Sequence, residues 1–203
     1  MPVRVRLALM VAASLVLIGA LAVVVLASPD SKSGDSTHFE GSLRPVTPVT
    51  DFTLSDEDGD PVSLSDYRGK PLILTFMYST CQDTCPILAS QIRQALDNLG
   101  SAAVPALAVS VDPANDTESR AKRFLVEHQV IGRMKFLLGS EAQLAPVWNA
   151  YGIAPETKEN PHGAWVILLD GDGRQRIGFP VDQVTPERLT HDVRMLAQAQ
   201  SDG

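Results

Sequence analysis

The longest apolar run in the chain, residues 7–27 (LALMVAASLVLIGALAVVVLA), contains no charged residue. At ~1.5 Å per residue a helix of this length covers about 30 Å, the thickness of a bilayer core, and it outruns the apolar core of a typical signal peptide. The pattern predicts one transmembrane helix. Arg4 and Arg6 precede the run and Asp30 follows it, so the positive-inside rule keeps residues 1–6 in the cytoplasm and places the rest of the chain outside it. No Arg-rich, Ser-rich amphipathic segment comes before the run, which argues against a mitochondrial presequence and for a single-pass protein of a bacterial cell membrane. The alternative is a cleaved signal peptide, with Val25 and Ala27 as the small residues before a cut at Ser28.

Residues 28–48 (SPDSKSGDSTHFEGSLRPVTP) are rich in Ser, Gly, Asp and Pro without apolar periodicity, and predict a flexible tether. Beyond it, residues 49–200 read as one domain. DFTL and PVSL flank the turn SDEDGD, a hairpin signal, and LILTFMY (72–78) is a continuous apolar run of the kind a buried central strand shows. From Pro86 the apolar positions Ile87, Leu88, Ile92, Ala95, Leu96 and Leu99 recur at helical spacing until Gly100. A strand over 104–111, a helix from about Thr117 to His128 and a helix over Glu141 to Tyr151 follow, with Thr117 placed to cap and Gly152 to terminate. AWVILLD (164–170), the turn GDG and RQRIGF (174–179) predict a second hairpin, and PERLTHDVRMLAQA closes as an amphipathic helix. Buried strands joined by helices imply a mixed sheet covered on both faces. The expected fold class is α/β, thioredoxin-like, with an N-terminal β-hairpin and a preceding transmembrane helix.

Composition narrows the function. A chain of 203 residues with 44% hydrophobic residues suits a single domain with appendages. The formal net charge of −7 offers no basic footprint, so a nucleic-acid partner is not expected. The acidic turns DEDGD and DGDG have their glycines misplaced for an EF-hand and read as hairpin turns. Asp112, at the end of a strand, reads as a turn residue before Pro113, and Met77, Trp148 and Trp165 read as core side chains.

The chain has two cysteines, Cys81 and Cys85, in STCQDTCPI. Cys81 falls in the loop after the buried strand and Cys85 at the start of the next helix, where the helix dipole and unpaired N–H groups favour thiolate over thiol. The C-x-x-x-C spacing permits a structural disulfide, a redox pair or a shared metal. An exported domain tolerates a disulfide, but closing so short a loop contributes little chain-entropy stabilisation. A metal needs a third ligand, and the candidates are His38, His128, His162, His191 and the methionines. His38 lies in the tether, and His128 and His191 lie in amphipathic helices. His162 stands in NPHGAWVILLD, just before an apolar strand, and in thioredoxin-like folds that loop packs against the cysteine-bearing loop. Two thiolates and one imidazole make a soft site that suits Cu(I) and admits Cu(II); zinc with an added water is also compatible.

At these residues the chain resembles the Sco/SenC proteins, copper-binding thioredoxin-like factors for cytochrome c oxidase assembly. The resemblance covers roughly residues 45–197 and runs through DFTLSDEDGDPVSLSDYRGKPLILTFMYSTCQDTCP, AVSVDPANDT, GSEAQLAPVWNAYGI and HGAWVILLDGDGR. It implies that Cys81, Cys85 and His162 bind one copper ion, and that the domain delivers copper to the copper-bearing subunit of the oxidase, with other copper chaperones as further partners and the membrane reached through the N-terminal helix. Gln82 stands where the family often has proline, Met77 where glycine is frequent, and Pro161 where an acidic residue often precedes the histidine. An acidic neighbour would raise the basicity of the histidine and fix its orientation. The competing expectation is a thiol-disulfide reductase of an exported or oxidase-subunit substrate, with Cys81 attacking, Cys85 resolving and His162 assisting proton transfer. Peroxidase activity is a weaker third, because the loop lacks the Thr and Arg setting of a peroxidatic cysteine.

Overall fold

The computed structural model describes residues 38–45, 50–153 and 165–201, so the apolar run 7–27, most of the expected tether and His162 lie outside the described residues. Among the described residues no helix is long and apolar enough to cross a membrane. The elements are β1 (Ser42–Leu43), β2 (Thr53–Ser55), β3 (Pro61–Ser63), β4 (Leu72–Met77), α1 (Thr84–Leu99), β5 (Ala106–Ser110), α2 (Glu118–Glu127), β6 (Met134–Leu137), α3 (Glu141–Tyr151), β7 (Trp165–Leu169), β8 (Gln175–Pro180) and α4 (Pro186–Ser201).

The main sheet has the strand order β1-β8-β7-β4-β5-β6, and β2 and β3 form a separate antiparallel hairpin. β4 sits inside the sheet, parallel to β5 and antiparallel to β7. All six of its residues are buried, which is why the sequence LILTFM shows no polar alternation. Successive side chains of a strand point to opposite faces. Accordingly Ile73 and Met77 pack with α1, α2 and α4, whereas Leu74 and Phe76 pack with α3 and the β2–β3 hairpin. The result is the mixed, doubly covered sheet of a thioredoxin-like fold.

Both acidic turns are hairpin turns, as expected. Asp56 Oδ1 accepts the backbone N–H groups of Asp58 and Asp60 at 3.0 and 2.9 Å, and Asp170 Oδ1 accepts those of Asp172 and Arg174 at 3.0 and 2.9 Å. Gly59 and Gly173 take φ values of 83° and 74°, a left-handed conformation that glycine adopts without steric cost. Trp148 is buried, with its indole N–H donating to the Ser110 carbonyl at 2.9 Å. Trp165 lies nearer the surface, beneath the Arg44 guanidinium at 5.3 Å from the ring centroid.

Two strands depart from the sequence reading. β6 is an edge strand of four residues whose Lys135 interrupts the apolar pattern, and its Lys135 ammonium pairs with buried Asp56. β1 lies within the stretch expected to be tether; residues from Phe39 onward belong to the compact unit. Its anchor is far away in sequence. The fully buried carboxylate of Asp192 on α4 accepts the N–H groups of Glu40 at 2.8 Å and Gly41 at 2.9 Å. Gly41 is required there, since a Cβ at that position would lie 2.4 Å from Ile177 Cγ2.

This anchoring carries a prediction. Asp192→Ala leaves two backbone donors without their charged acceptor and lowers stability by about 2–3 kcal/mol. Urea unfolding measures it, and an unchanged midpoint would show that β1 is held by its ladder bonds alone.

Candidate functional site

The site begins where β4 ends. After Met77 the chain turns, with the Cys81 N–H donating to the Tyr78 carbonyl at 3.3 Å, and α1 starts at Thr84. The first N–H groups of any helix have no partner within the helix. Here the residue before α1, Asp83, makes no side-chain cap. The sulfur of Cys81 supplies an acceptor instead: the Cys85 N–H donates to Cys81 Sγ at 3.2 Å. Pro86 follows in the same first turn, where its missing N–H removes nothing. Both cysteines are buried, at 8% and 3% exposure, and are not joined in a disulfide.

These contacts favour the anionic sulfur. A hydrogen bond from the Cys85 thiol is the largest influence, and the backbone N–H groups of Cys85 and Asp83 and the Tyr78 hydroxyl add to it. Together they outweigh burial and bring the Cys81 thiol down to about 5. Cys81 is therefore a thiolate at neutral pH, the nucleophilic and metal-binding form. Met77 belongs to the same buried cluster as the two cysteines, as a core side chain.

A carboxylate that the sequence reading passed over lies beside the loop. Asp116 Oδ1 accepts the N–H of Ser79 at 2.7 Å and its hydroxyl at 2.5 Å, while Oδ2 accepts the Ser110 hydroxyl at 2.5 Å. Burial pushes the Asp116 carboxyl above the usual carboxylate value, opposed by these bonds from Ser110 and Ser79. Asp112, which the sequence did single out, accepts the side-chain amide of Asn115 at 3.0 and 2.9 Å and serves the turn. The available signal was the second acid of VDPANDT, four residues on, one residue before the Thr117 cap of α2.

The described histidines engage other groups. The His128 ring packs edge-on against Phe124 at 4.4 Å, and His191 Nδ1 lies 2.9 Å from Asp192 Oδ1. Among the described residues no group of three or more His, Cys, Asp or Glu side chains is placed to hold a metal. The structure thus brings Cys81 and Cys85 together, while the expected third ligand, His162, lies outside the described residues. The described residues resume at Trp165, and the register Val166↔Thr75 puts the start of β7 at the end of the sheet from which β4 leads to Cys81. Two soft sulfurs, one of them anionic, favour a soft cation such as Cu(I) over a hard one.

Comparison with known proteins gives one family and several relatives. The SCO1/SenC family model matches residues 42–198. The mitochondrial SCO2 homolog of Bos taurus is 30% identical over 135 residues, covering 61% of this chain and 50% of that protein, so the match spans about half the length of this SCO2 relative. Peroxiredoxin Q of Sedum lineare is 28% identical over 172 residues, 85% of this chain and 87% of that protein. The structure of Bradyrhizobium japonicum ScoI with copper bound superposes with a TM-score of 0.62 at 27% identity, covering 74% of this chain and 99% of that one.

The sulfur environment predicts a pH profile. Thiolate forms above the pKa, so the ultraviolet thiolate absorbance of the reduced protein rises with a midpoint near pH 5 and is level by neutral pH. Cys81→Ser removes this step. A wild-type titration with no step below the ordinary thiol range would contradict the hydrogen-bond arrangement.

Proposed function

The chain belongs to the SCO1/SenC family, and from that premise we propose that it is a copper metallochaperone: Cys81, Cys85 and His162 bind one copper ion and pass it toward the copper site of cytochrome c oxidase. The observation that carries this reading is the pairing of Cys81 with Cys85 at the first turn of α1, in surroundings that favour a Cys81 thiolate, at the end of the sheet where β7 begins. His162 stands three residues before Trp165, close enough in sequence for its imidazole to join the sulfurs. Copper in the Bradyrhizobium japonicum relative supports the same choice of metal.

In this reading Cys81 receives the ion as a thiolate, Cys85 releases its proton on binding, and the neutral imidazole completes a three-coordinate site. A three-coordinate site leaves room for an incoming ligand, so the ion can move to a partner by exchange of one ligand at a time. Residues 7–27 anchor the domain to the cell membrane and hold it on the extracytoplasmic side, near a membrane-bound oxidase.

A second reading rests on the same thiolate and on the likeness to peroxiredoxin Q. The Cys81 thiolate attacks one sulfur of a substrate disulfide and expels the other as thiolate. Cys85 then displaces the substrate sulfur from Cys81, leaving a Cys81–Cys85 disulfide and a substrate dithiol.

His162→Ala separates the two. Loss of a direct ligand weakens Cu(I) binding by more than the roughly 10–100-fold that loss of an outer-shell partner costs, while reduction of a model disulfide by the dithiol form is unchanged. Competition with a chromophoric Cu(I) chelator and a disulfide-reduction assay read the two effects. Unchanged tight copper binding would overturn the metal reading in favour of dithiol exchange.

A further inference from the structure

β4 and β5 are parallel neighbours, and their ends fall level: Met77 pairs with Ser110, and the Val111 N–H donates to the Met77 carbonyl at 3.1 Å. The two loops leaving this end therefore run side by side. One carries Ser79 to Cys81 and the other carries Asp112 to Asp116. Asp116 is the group that ties them. Its carboxylate takes both donors of Ser79 on one oxygen and the Ser110 hydroxyl on the other, at 2.7, 2.5 and 2.5 Å. Ser110 is itself fixed, being fully buried in β5 with its carbonyl accepting the Trp148 indole N–H from α3 at 2.9 Å. A continuous series of bonds thus runs from α3 through β5 and Asp116 to a residue two positions before Cys81.

We propose that Asp116 is the positioning residue of the cysteine loop: by clamping Ser79 to Ser110 it fixes the turn that places Cys81 Sγ over the first turn of α1, so that the sulfur pair is preformed for its ligand. The backbone from Ser79 to Cys81 carries the constraint. The Cys81 N–H bonds the Tyr78 carbonyl, and Cys81 Sγ accepts the Cys85 N–H, so a shift at Ser79 moves the sulfur away from its donor. The role is geometric. An asparagine at 116 can still accept from Ser79 through its oxygen and donate through its amide to the Ser110 hydroxyl, which is both donor and acceptor. An alanine can do neither. The assignment rests on Cys81 and Cys85 being the working pair, whichever chemistry they perform.

The test uses the full-length reduced chain and its Asp116→Ala and Asp116→Asn variants. Hydrogen exchange is followed at the amides of 81–87 other than Pro86, with α4 amides from Leu189 to Leu196 as the reference for global opening. Cu(I) affinity is measured in parallel by chelator competition. Asp116→Ala should lose protection at 81–87 beyond any loss in α4, and its Cu(I) affinity should fall about tenfold, the scale on which groups that orient metal ligands act. Asp116→Asn should retain both. The inference is overturned if Asp116→Ala leaves 81–87 protected, if the loss merely matches that in α4, or if Asp116→Asn fails as fully as Asp116→Ala. Absence of Cu(I) binding in the wild type would sink the copper reading, whereas the exchange data would still decide the role of Asp116.

Discussion

A helix that begins one short loop after a buried strand exposes backbone donors close to where the chain has just left its sheet partners. In this protein those donors face sulfur. The Cys85 N–H is held by Cys81 Sγ rather than by a capping carboxylate, so the same contact that starts α1 also stabilises negative charge on Cys81. Helix initiation and thiol activation therefore share one contact, to which the Cys85 thiol adds the largest part of the activation. Replacing that sulfur with a conventional cap would keep the helix start and remove the thiolate.

The remainder of the fold keeps this contact in place. β4 is buried along its whole length and locked between β5 and β7, which fixes where the cysteine loop starts. Its alternation sends Met77 into the cluster that holds both cysteines and all of the buried face of α1, so the helix axis is set by apolar packing while its first turn is set by sulfur. On the opposite face, α3 contributes through Trp148 and Ser110 to the carboxylate of Asp116. Burial of that carboxylate strengthens each of its hydrogen bonds, because they act in a less polar setting than water.

The sequence reading reached the elements whose signals are local. The continuous apolar run of β4, the helical spacing after Pro86, the Thr117 cap, the Gly152 stop and the two acidic hairpin turns all appear where expected, and so does the convergence of Cys81 and Cys85. What escaped it depends on partners distant in the chain. β1 exists because Asp192, about 150 positions later, accepts its leading N–H groups. β6 is short, and its apolar pattern is interrupted by a lysine whose partner is Asp56, in the first hairpin. Asp116 went unread, since its donors Ser79 and Ser110 are brought to it only by the parallel pairing of β4 with β5. The family resemblance, by contrast, was carried by several separated sequence blocks, and the SCO1/SenC match over residues 42–198 agrees with it.

Copper bound by Cys81, Cys85 and His162 is the claim on which the proposed function stands. X-ray absorption spectroscopy of the reduced full-length chain carrying one equivalent of Cu(I) tests it most directly. The account predicts two sulfur scatterers and one imidazole nitrogen, with the imidazole signature lost in His162→Ala and the sulfur lost in the double Cys81→Ser, Cys85→Ser variant. A shell of nitrogen and oxygen alone, or one that neither variant alters, would contradict it.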